Sequence, residues 1–161
     1  MRGTRLVAVG HFQPERVVPN SELETMVETS DEWIQRRVGI KERRWAAPEE
    51  SVDVLAERAA LDTLAKAGVD ADQIDMVIVA TCSALDRSPN MAARVAARLG
   101  MSTNPVTIDI NTACSGFPHA VAIAQHAISA GASTTALVIG AEKLTDVTDF
   151  YNAPRGHAVP A

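Results

Sequence analysis

Residues 74–81 read Ile-Asp-Met-Val-Ile-Val-Ala-Thr, and the continuous apolar centre of this run is the feature that most constrains the fold. A strand of this kind has apolar side chains on both faces, so both faces must be covered, as in a parallel sheet. Segments 5–12, 106–108 and 135–140 are also short and rich in apolar or β-branched residues, and they predict three further strands. Helical patterns alternate with these segments, which predicts an α/β fold with a mostly parallel sheet and helices on both faces.

The predicted helices carry recognisable start and stop signals. A capping box at 21–24 opens the first helix, and a second box at 29–32 opens the next, which Gly39 ends. Two further helices are predicted, one from Ser51 to Gly68 and one from 91 to 99. The charged segment 41–45 does not share these signals, and we expect it to be an exposed strand or turn.

Cys114 lies in the sequence Asp-Ile-Asn-Thr-Ala-Cys-Ser-Gly-Phe-Pro at 109–118, directly after a predicted strand. An Ala-rich helix is predicted from 120 to 130, with Pro118 in its first turn. Cys114 is therefore expected at a strand-to-helix turn, where the helix dipole and free N–H groups favour a thiolate. Its small neighbours would let a substrate carbonyl reach the sulfur, as a nucleophile requires. The alternative for a cysteine between Ala and Ser is a small buried hydrophobic residue.

Composition and charge exclude several classes of protein. A chain of 161 residues can bury one sizeable core, and its net charge of −5 without a basic tract argues against a nucleic-acid partner. Cys82 and Cys114 are far apart, which predicts neither a disulfide framework nor a metal site, and we expect Cys82 to be buried and inert. There is no secretory signal pattern and no apolar run long enough for a bilayer, so we expect a cytoplasmic protein with no membrane partner.

Two motifs, in the right order, resemble β-ketoacyl-acyl-carrier-protein synthase III, a condensing enzyme of the thiolase fold. The first is Thr-Ser-Asp-Glu-Trp-Ile at 29–34, followed by Arg37, Gly39-Ile40 and Glu42-Arg43. The second is Asn-Thr-Ala-Cys-Ser-Gly-Phe at 111–117. The resemblance implies the N-terminal half of a thiolase-like fold, with a mostly parallel mixed sheet and helices on both faces.

The resemblance also implies roles for four residues. Cys114 would be the catalytic nucleophile, which takes an acyl group from acyl-coenzyme A as a thioester. Trp33 would stack on the adenine of coenzyme A, Arg37 would contact the nucleotide, and Thr29 would hydrogen-bond it. An indole face and a guanidinium suit these contacts. From the residues alone, Trp33 would instead be a partly buried core aromatic and Arg37 a solvated helix position.

The implied function is that of a condensing acyltransferase. The acyl group on Cys114 would condense with malonyl-acyl-carrier protein in fatty acid or polyketide initiation, with coenzyme A thioester as substrate and no permanently bound cofactor or metal. The partners would be acyl-coenzyme A, acyl-carrier protein and a second copy of the chain. The family's catalytic His and Asn belong to the second half of its fold, and no residue here matches them by motif. The alternative is therefore a non-catalytic remnant or interaction subunit with the same half-fold. A serine hydrolase is disfavoured, because the turn lacks the G-x-S-x-G pattern.

We expect residues 1–148 to form a thiolase-like N-terminal half and residues 149–161 a divergent or truncated tail. The predicted helix 120–130 is apolar around nearly its whole circumference, so it needs cover on every side. In the family the second half supplies part of that cover. We therefore expect this chain to associate, as a homodimer or through the uncovered face, or to be only marginally stable.

Overall fold

The structure is a computed structural model that describes residues 3–148, so the predicted tail at 149–161 lies outside the described residues. The described residues fall into two compact units. The first, here the ribbon unit, comprises 13–50 and 143–148, and the second, here the sheet unit, comprises 3–12 and 51–142. Each unit has its own hydrophobic core.

The ribbon unit contains two short strands and two helices: β1 (Arg16–Pro19), α1 (Asn20–Leu23), α2 (Asp31–Val38) and β2 (Glu42–Trp45). The two strands pair in antiparallel fashion, with Val18 opposite Arg43. Val18, Leu23 and Ile34 are buried together and form the core of this unit.

Helix α2 ends where predicted, but its N-cap is Ser30 and not Thr29, the first residue of the predicted capping box. The side chain of Ser30 accepts a hydrogen bond from the backbone N–H of Trp33 at 3.2 Å, as expected of an N-cap. Gly39 ends the helix with φ +74°, a conformation that favours glycine.

Helix α1 does not begin at the predicted capping box, and that prediction is wrong. The box requires Glu24 to reach back to the backbone N–H of Ser21. Instead, the Glu24 carboxylate accepts a hydrogen bond from the backbone N–H of Asp31 at 2.7 Å. The helix therefore begins after Pro19 and ends after a single turn.

The sheet unit contains three helices and three strands: α3 (Val52–Ala67), β3 (Met76–Ala80), α4 (Met91–Arg98), β4 (Val106–Ile110), α5 (Gly116–Ala130) and β5 (Ala136–Gly140). The strands are parallel and lie in the order β4-β3-β5, with Ile78 aligned with Ile108 on one side and Val138 on the other. All five residues of β3 are buried, which confirms the central strand predicted from its apolar run.

Helices cover both faces of this sheet, as predicted. Helices α3 and α4 pack on the face that carries Val77 and Val79. Helix α5 packs on the face that carries Ile78 and Ala80, which it contacts through Ala120 and Ala124. None of the helices within residues 3–148 combines the length and apolar character needed to span a bilayer.

The strand predicted at 5–12 is wrong, because this segment pairs with no strand in the described residues. An apolar segment becomes a strand only when a neighbour completes its backbone hydrogen bonds. Leu6 and Val9 are 80% and 66% exposed. Near the C-terminal end of the segment, the backbone N–H of His11 donates to the side chain of Asp62 on α3 at 2.8 Å.

Helix α5 begins at Gly116, so Pro118 lies in its first turn as predicted, and the helix ends at Gly131 as predicted. Its outward face is apolar and open in the described structure: Phe117 is 50% exposed and Val121 is 42% exposed. The described sheet covers the inward face of this helix through Ala120 and Ala124.

Candidate functional site

Cys114 lies in a short 3₁₀ turn, Ala113–Ser115, between β4 and α5. Ala113 has φ +47°, an uncommon conformation for a residue other than glycine, and it turns the chain sharply from the strand into the helix. Cys114 is exposed and its thiol is free. This placement at the start of α5 was predicted, and the alternative of a small buried residue does not hold.

Neighbouring polar groups hold this turn in place. The backbone N–H and the hydroxyl of Ser115 both donate to the carbonyl oxygen of Thr112, at 3.2 and 2.8 Å. The hydroxyl of Thr112 lies 3.1 Å from Nδ1 of His119, one turn into α5. His119 therefore contacts the turn through Thr112.

A second polar group lies at the carboxyl ends of two other strands of the same parallel sheet, β3 and β5. The Glu142 carboxylate, which follows β5, accepts hydrogen bonds from residues that follow β3. The donors are the backbone N–H of Cys82 at 2.8 Å, its thiol at 3.2 Å, the hydroxyl of Thr81 at 3.2 Å and the hydroxyl of Ser83. Sequence reasoning missed Glu142, although its position directly after a predicted strand was a usable signal, since ligands bind at this edge of α/β sheets.

Cys82 is exposed, so the prediction that it is buried is wrong. The sequence 76–80 is covered by helices, but the chain beyond it turns towards Glu142. The hydrogen bond to the Glu142 carboxylate is the main cause that raises the pKa of the Cys82 thiol. Burial and the negative charge of Glu142 act in the same direction, with a smaller electrostatic contribution from Cys114.

Trp33 and Arg37 lie one turn apart on α2 of the ribbon unit. Trp33 is 45% exposed, so it is not a core aromatic. The guanidinium carbon of Arg37 lies 5.7 Å from the centroid of the Trp33 ring, within the range of a cation–π contact. The structure thus brings together two of the three residues predicted to contact a nucleotide, on the exposed side of one helix.

Thr29 precedes the N-cap of α2, and its hydroxyl oxygen is buried without a hydrogen-bond partner among the described residues. An unpaired buried hydroxyl costs about 1–3 kcal/mol and calls for an explanation such as a bound water or ligand. Its role in nucleotide binding stays a prediction, as do the roles of Trp33 and Arg37.

A buried hydrogen-bond chain fixes the start of α2. Arg43, which is only 8% exposed, donates to the side-chain oxygen of Asn20 at 2.7 Å and to the carbonyl of Val18 at 3.1 Å. The side-chain amide of Asn20 then donates to Asp31 at 2.7 Å. This bond and one from Gln35 hold the pKa of Asp31 below its usual value, with a smaller contribution from Lys41, although burial opposes them. Segment 41–45 was expected to be exposed, but Arg43 is buried and Trp45 is partly buried against the core of the ribbon unit.

The sequence model of the thiolase N-terminal domain matches residues 36–159, well over half of the chain. The chain belongs to the thiolase family through this domain. Within that family it is similar to β-ketoacyl-acyl-carrier-protein synthase III 2 of Streptomyces avermitilis, with 57% identity over 150 residues, 93% of this chain and 47% of the relative. It is 42% identical over 146 residues to β-ketoacyl-acyl-carrier-protein synthase III of Citrobacter koseri, over 91% of this chain and 46% of the relative. The chain therefore spans about half the length of the curated relatives it matches.

Two solved structures support the same placement. 3-Oxoacyl-acyl-carrier-protein synthase III from Aquifex aeolicus superposes with a TM-score of 0.88 at 41% identity, over 93% of this chain and 48% of that chain. A priming β-ketosynthase from a polyketide biosynthetic pathway superposes with a TM-score of 0.89 at 37% identity, over 94% of this chain and 45% of that chain. These comparisons confirm the thiolase-like fold and the resemblance to β-ketoacyl-acyl-carrier-protein synthase III.

Proposed function

We propose that this chain is the acyl-accepting half of a condensing acyltransferase of the β-ketoacyl-acyl-carrier-protein synthase III type. The observation that carries the proposal is the exposed, free sulfur of Cys114 at the start of α5, at the carboxyl ends of a parallel sheet. Relatives that share over half of the residues in the matched region bear this enzyme name, which supports the same assignment.

The first step of the proposed reaction is a thioester exchange. The Cys114 thiolate attacks the carbonyl carbon of acyl-coenzyme A, a new carbon–sulfur bond forms, and the bond to the coenzyme A sulfur breaks. The departing thiolate takes up the proton that Cys114 has lost. The dipole at the start of α5 favours the negative charge that develops on the carbonyl oxygen as the bond forms.

The ribbon unit supplies the contacts proposed for the coenzyme A nucleotide. The exposed ring of Trp33 offers a flat apolar face for an adenine base, and the Arg37 guanidinium beside it offers donors for phosphate. The unpartnered hydroxyl of Thr29 is a third candidate contact.

The second half-reaction, condensation with malonyl-acyl-carrier protein, belongs to the same proposal. Acyl-carrier protein is the proposed partner because it appears in the names of the relatives. The proposal covers both fatty acid and polyketide initiation, because relatives of both kinds match. The His and Asn needed for this step would come from a second half-fold. The proposal includes a cytoplasmic location, since a free reactive thiol persists in a reducing compartment. It also includes a homodimer joined through the open face of α5.

Incubation of the 161-residue chain with acetyl-coenzyme A, followed by intact-mass analysis, tests the first step. We expect one acetyl adduct, its loss in Cys114→Ala, and its retention in the matched control Cys82→Ala. An adduct that survives Cys114→Ala contradicts the proposal. No adduct at saturating acetyl-coenzyme A would also contradict it, and would favour the non-catalytic interaction subunit.

A further inference from the structure

Two free cysteines follow neighbouring strands of the parallel sheet, and both are exposed. Cys82 comes two residues after the end of β3, and Cys114 comes four residues after the end of β4. The backbone N–H of Thr81 donates to the carbonyl of Ile110 at 3.1 Å, so the chain beyond β3 still runs beside the chain that leads to Cys114. An electrophile that reaches this edge of the sheet therefore meets two thiols.

Within residues 3–148, Cys82 is the one of these two cysteines that is hydrogen-bonded to a carboxylate. Both its backbone N–H and its thiol point at one oxygen of Glu142, at 2.8 and 3.2 Å. The other oxygen of Glu142 accepts from Thr81 and Ser83, so the carboxylate is held in place from both sides. A thiol in this position is a donor to a fixed negative charge, and a thiolate there would face that charge directly.

We propose that Glu142 is a positioning and selectivity residue, which holds Cys82 as a protonated donor and leaves Cys114 as the reactive sulfur at this edge of the sheet. The thiolate is the nucleophilic form of cysteine, so a group that disfavours it also slows attack on thioesters and alkylating agents. The groups that act electrostatically on Cys82 are Glu142 and Cys114, and both oppose its ionisation. The proposal depends on the proposed function only in naming Cys114 as the acyl acceptor.

Site-resolved alkylation with iodoacetamide tests this without any acyl donor. The full chain is treated over a range of pH, and labelling at each cysteine is followed by peptide mass spectrometry. In Glu142→Gln, which keeps the size of the side chain and removes the charge, we expect the midpoint of Cys82 labelling to move to lower pH. Its rate at neutral pH should rise by roughly threefold for each pH unit of that movement, because the thiolate fraction rises while the nucleophilicity of each thiolate falls.

Two matched variants separate charge from structural support. Glu142→Asp keeps the charge but shortens the side chain by one methylene, so its Cys82 midpoint should lie between those of Glu142→Gln and the parent. Ser83→Ala removes one donor to the carboxylate but no charge, and it should not move the midpoint. A Cys82 profile that is the same in Glu142→Gln as in the parent overturns the proposal, and so does an equal movement in Ser83→Ala. Failure of Cys114 to take an acetyl group would overturn the proposed function but would leave these profiles unchanged.

Discussion

Gly116, the first residue of α5, lies directly against Ala80, the last residue of β3. A Cβ atom added to Gly116 would stand 3.0 Å from the Cβ atom of Ala80, closer than the 3.4–4 Å of ordinary van der Waals contact. The missing side chain therefore lets the helix that follows Cys114 approach the central strand closely. This contact fixes the start of α5, and with it the turn that presents the sulfur.

Gly116→Ala should destabilise the chain because the added methyl group has no room beside Ala80. Overpacking of this kind costs about 1–3 kcal/mol, against a gain of roughly 0.5–1 kcal/mol for replacing glycine within a helix. In an Ala80→Gly background the space is restored, so the same change should be neutral or stabilising. Urea unfolding of the four proteins measures the difference, and an identical effect of Gly116→Ala in both backgrounds would contradict the role of this contact.

The parts of the fold that were predicted correctly depend on local signals. The apolar run of β3 and the helix ends at Gly39 and Gly131 are each set by residues within a few positions of one another. The strand-to-helix turn at Cys114 is local in the same sense, which is why its placement could be predicted.

The parts that were missed depend on partners far apart in the chain. Glu142 bonds Cys82 from 60 residues away, and Arg43 bonds Asn20 from 23 residues away, so neither contact leaves a short-range pattern. Segment 5–12 has the composition of a strand, but its state is decided by whether another strand pairs with it. The contact between Trp33 and Arg37 was not predicted either, although the two residues are four apart on one helix and therefore lie on the same side of it.

Trp33→Ala should weaken the binding of coenzyme A if the indole stacks on the adenine base. Stacking of aromatic rings contributes about 0.5–1.5 kcal/mol, so the dissociation constant should rise roughly 2- to 13-fold. Isothermal titration calorimetry with coenzyme A measures this change. Val38→Ala removes another exposed apolar side chain from the same helix and should have no effect. Equal affinities for Trp33→Ala and the parent would remove Trp33 from the proposed site.

Asp75 should make the stability of the chain depend on pH. Burial opposes ionisation of Asp75, but hydrogen bonds from Ser133, Thr134 and Thr135 outweigh it and hold the pKa of the carboxyl group below its usual value of 3.8. The ionised form is therefore favoured in the folded state. Its contribution to stability is present above the unfolded-state pKa and is lost as the pH falls through the folded-state pKa.

Asp75→Asn removes this contribution. At pH 7 we expect the free energy of unfolding to fall by about 1–3 kcal/mol, the usual loss for hydrogen bonds to a charged group. Below about pH 4 the difference from the parent should shrink, because the unfolded parent then takes up a proton on Asp75 that the folded parent binds only at lower pH. Urea unfolding at pH 7 and pH 3 measures both effects, with Glu15→Gln as an exposed carboxylate control. A difference between Asp75→Asn and the parent that is equally large at both pH values would refute the titration of Asp75 as its source.

The open face of α5 should drive association of the chain. Phe117 and Val121 lie one turn apart on this face and are 50% and 42% exposed, and an exposed apolar patch of this kind favours contact with a second copy. Val121→Lys places a charge in the patch and should raise the dissociation constant by about tenfold or more, since burying one valine contributes roughly 1.5 kcal/mol or above. Leu61→Lys, at an exposed position on α3, is the matched control and should leave the association unchanged. Sedimentation velocity over a range of concentrations measures both. A parent chain that stays monomeric throughout, or an equal effect of the two substitutions, would show that this face does not hold the copies together.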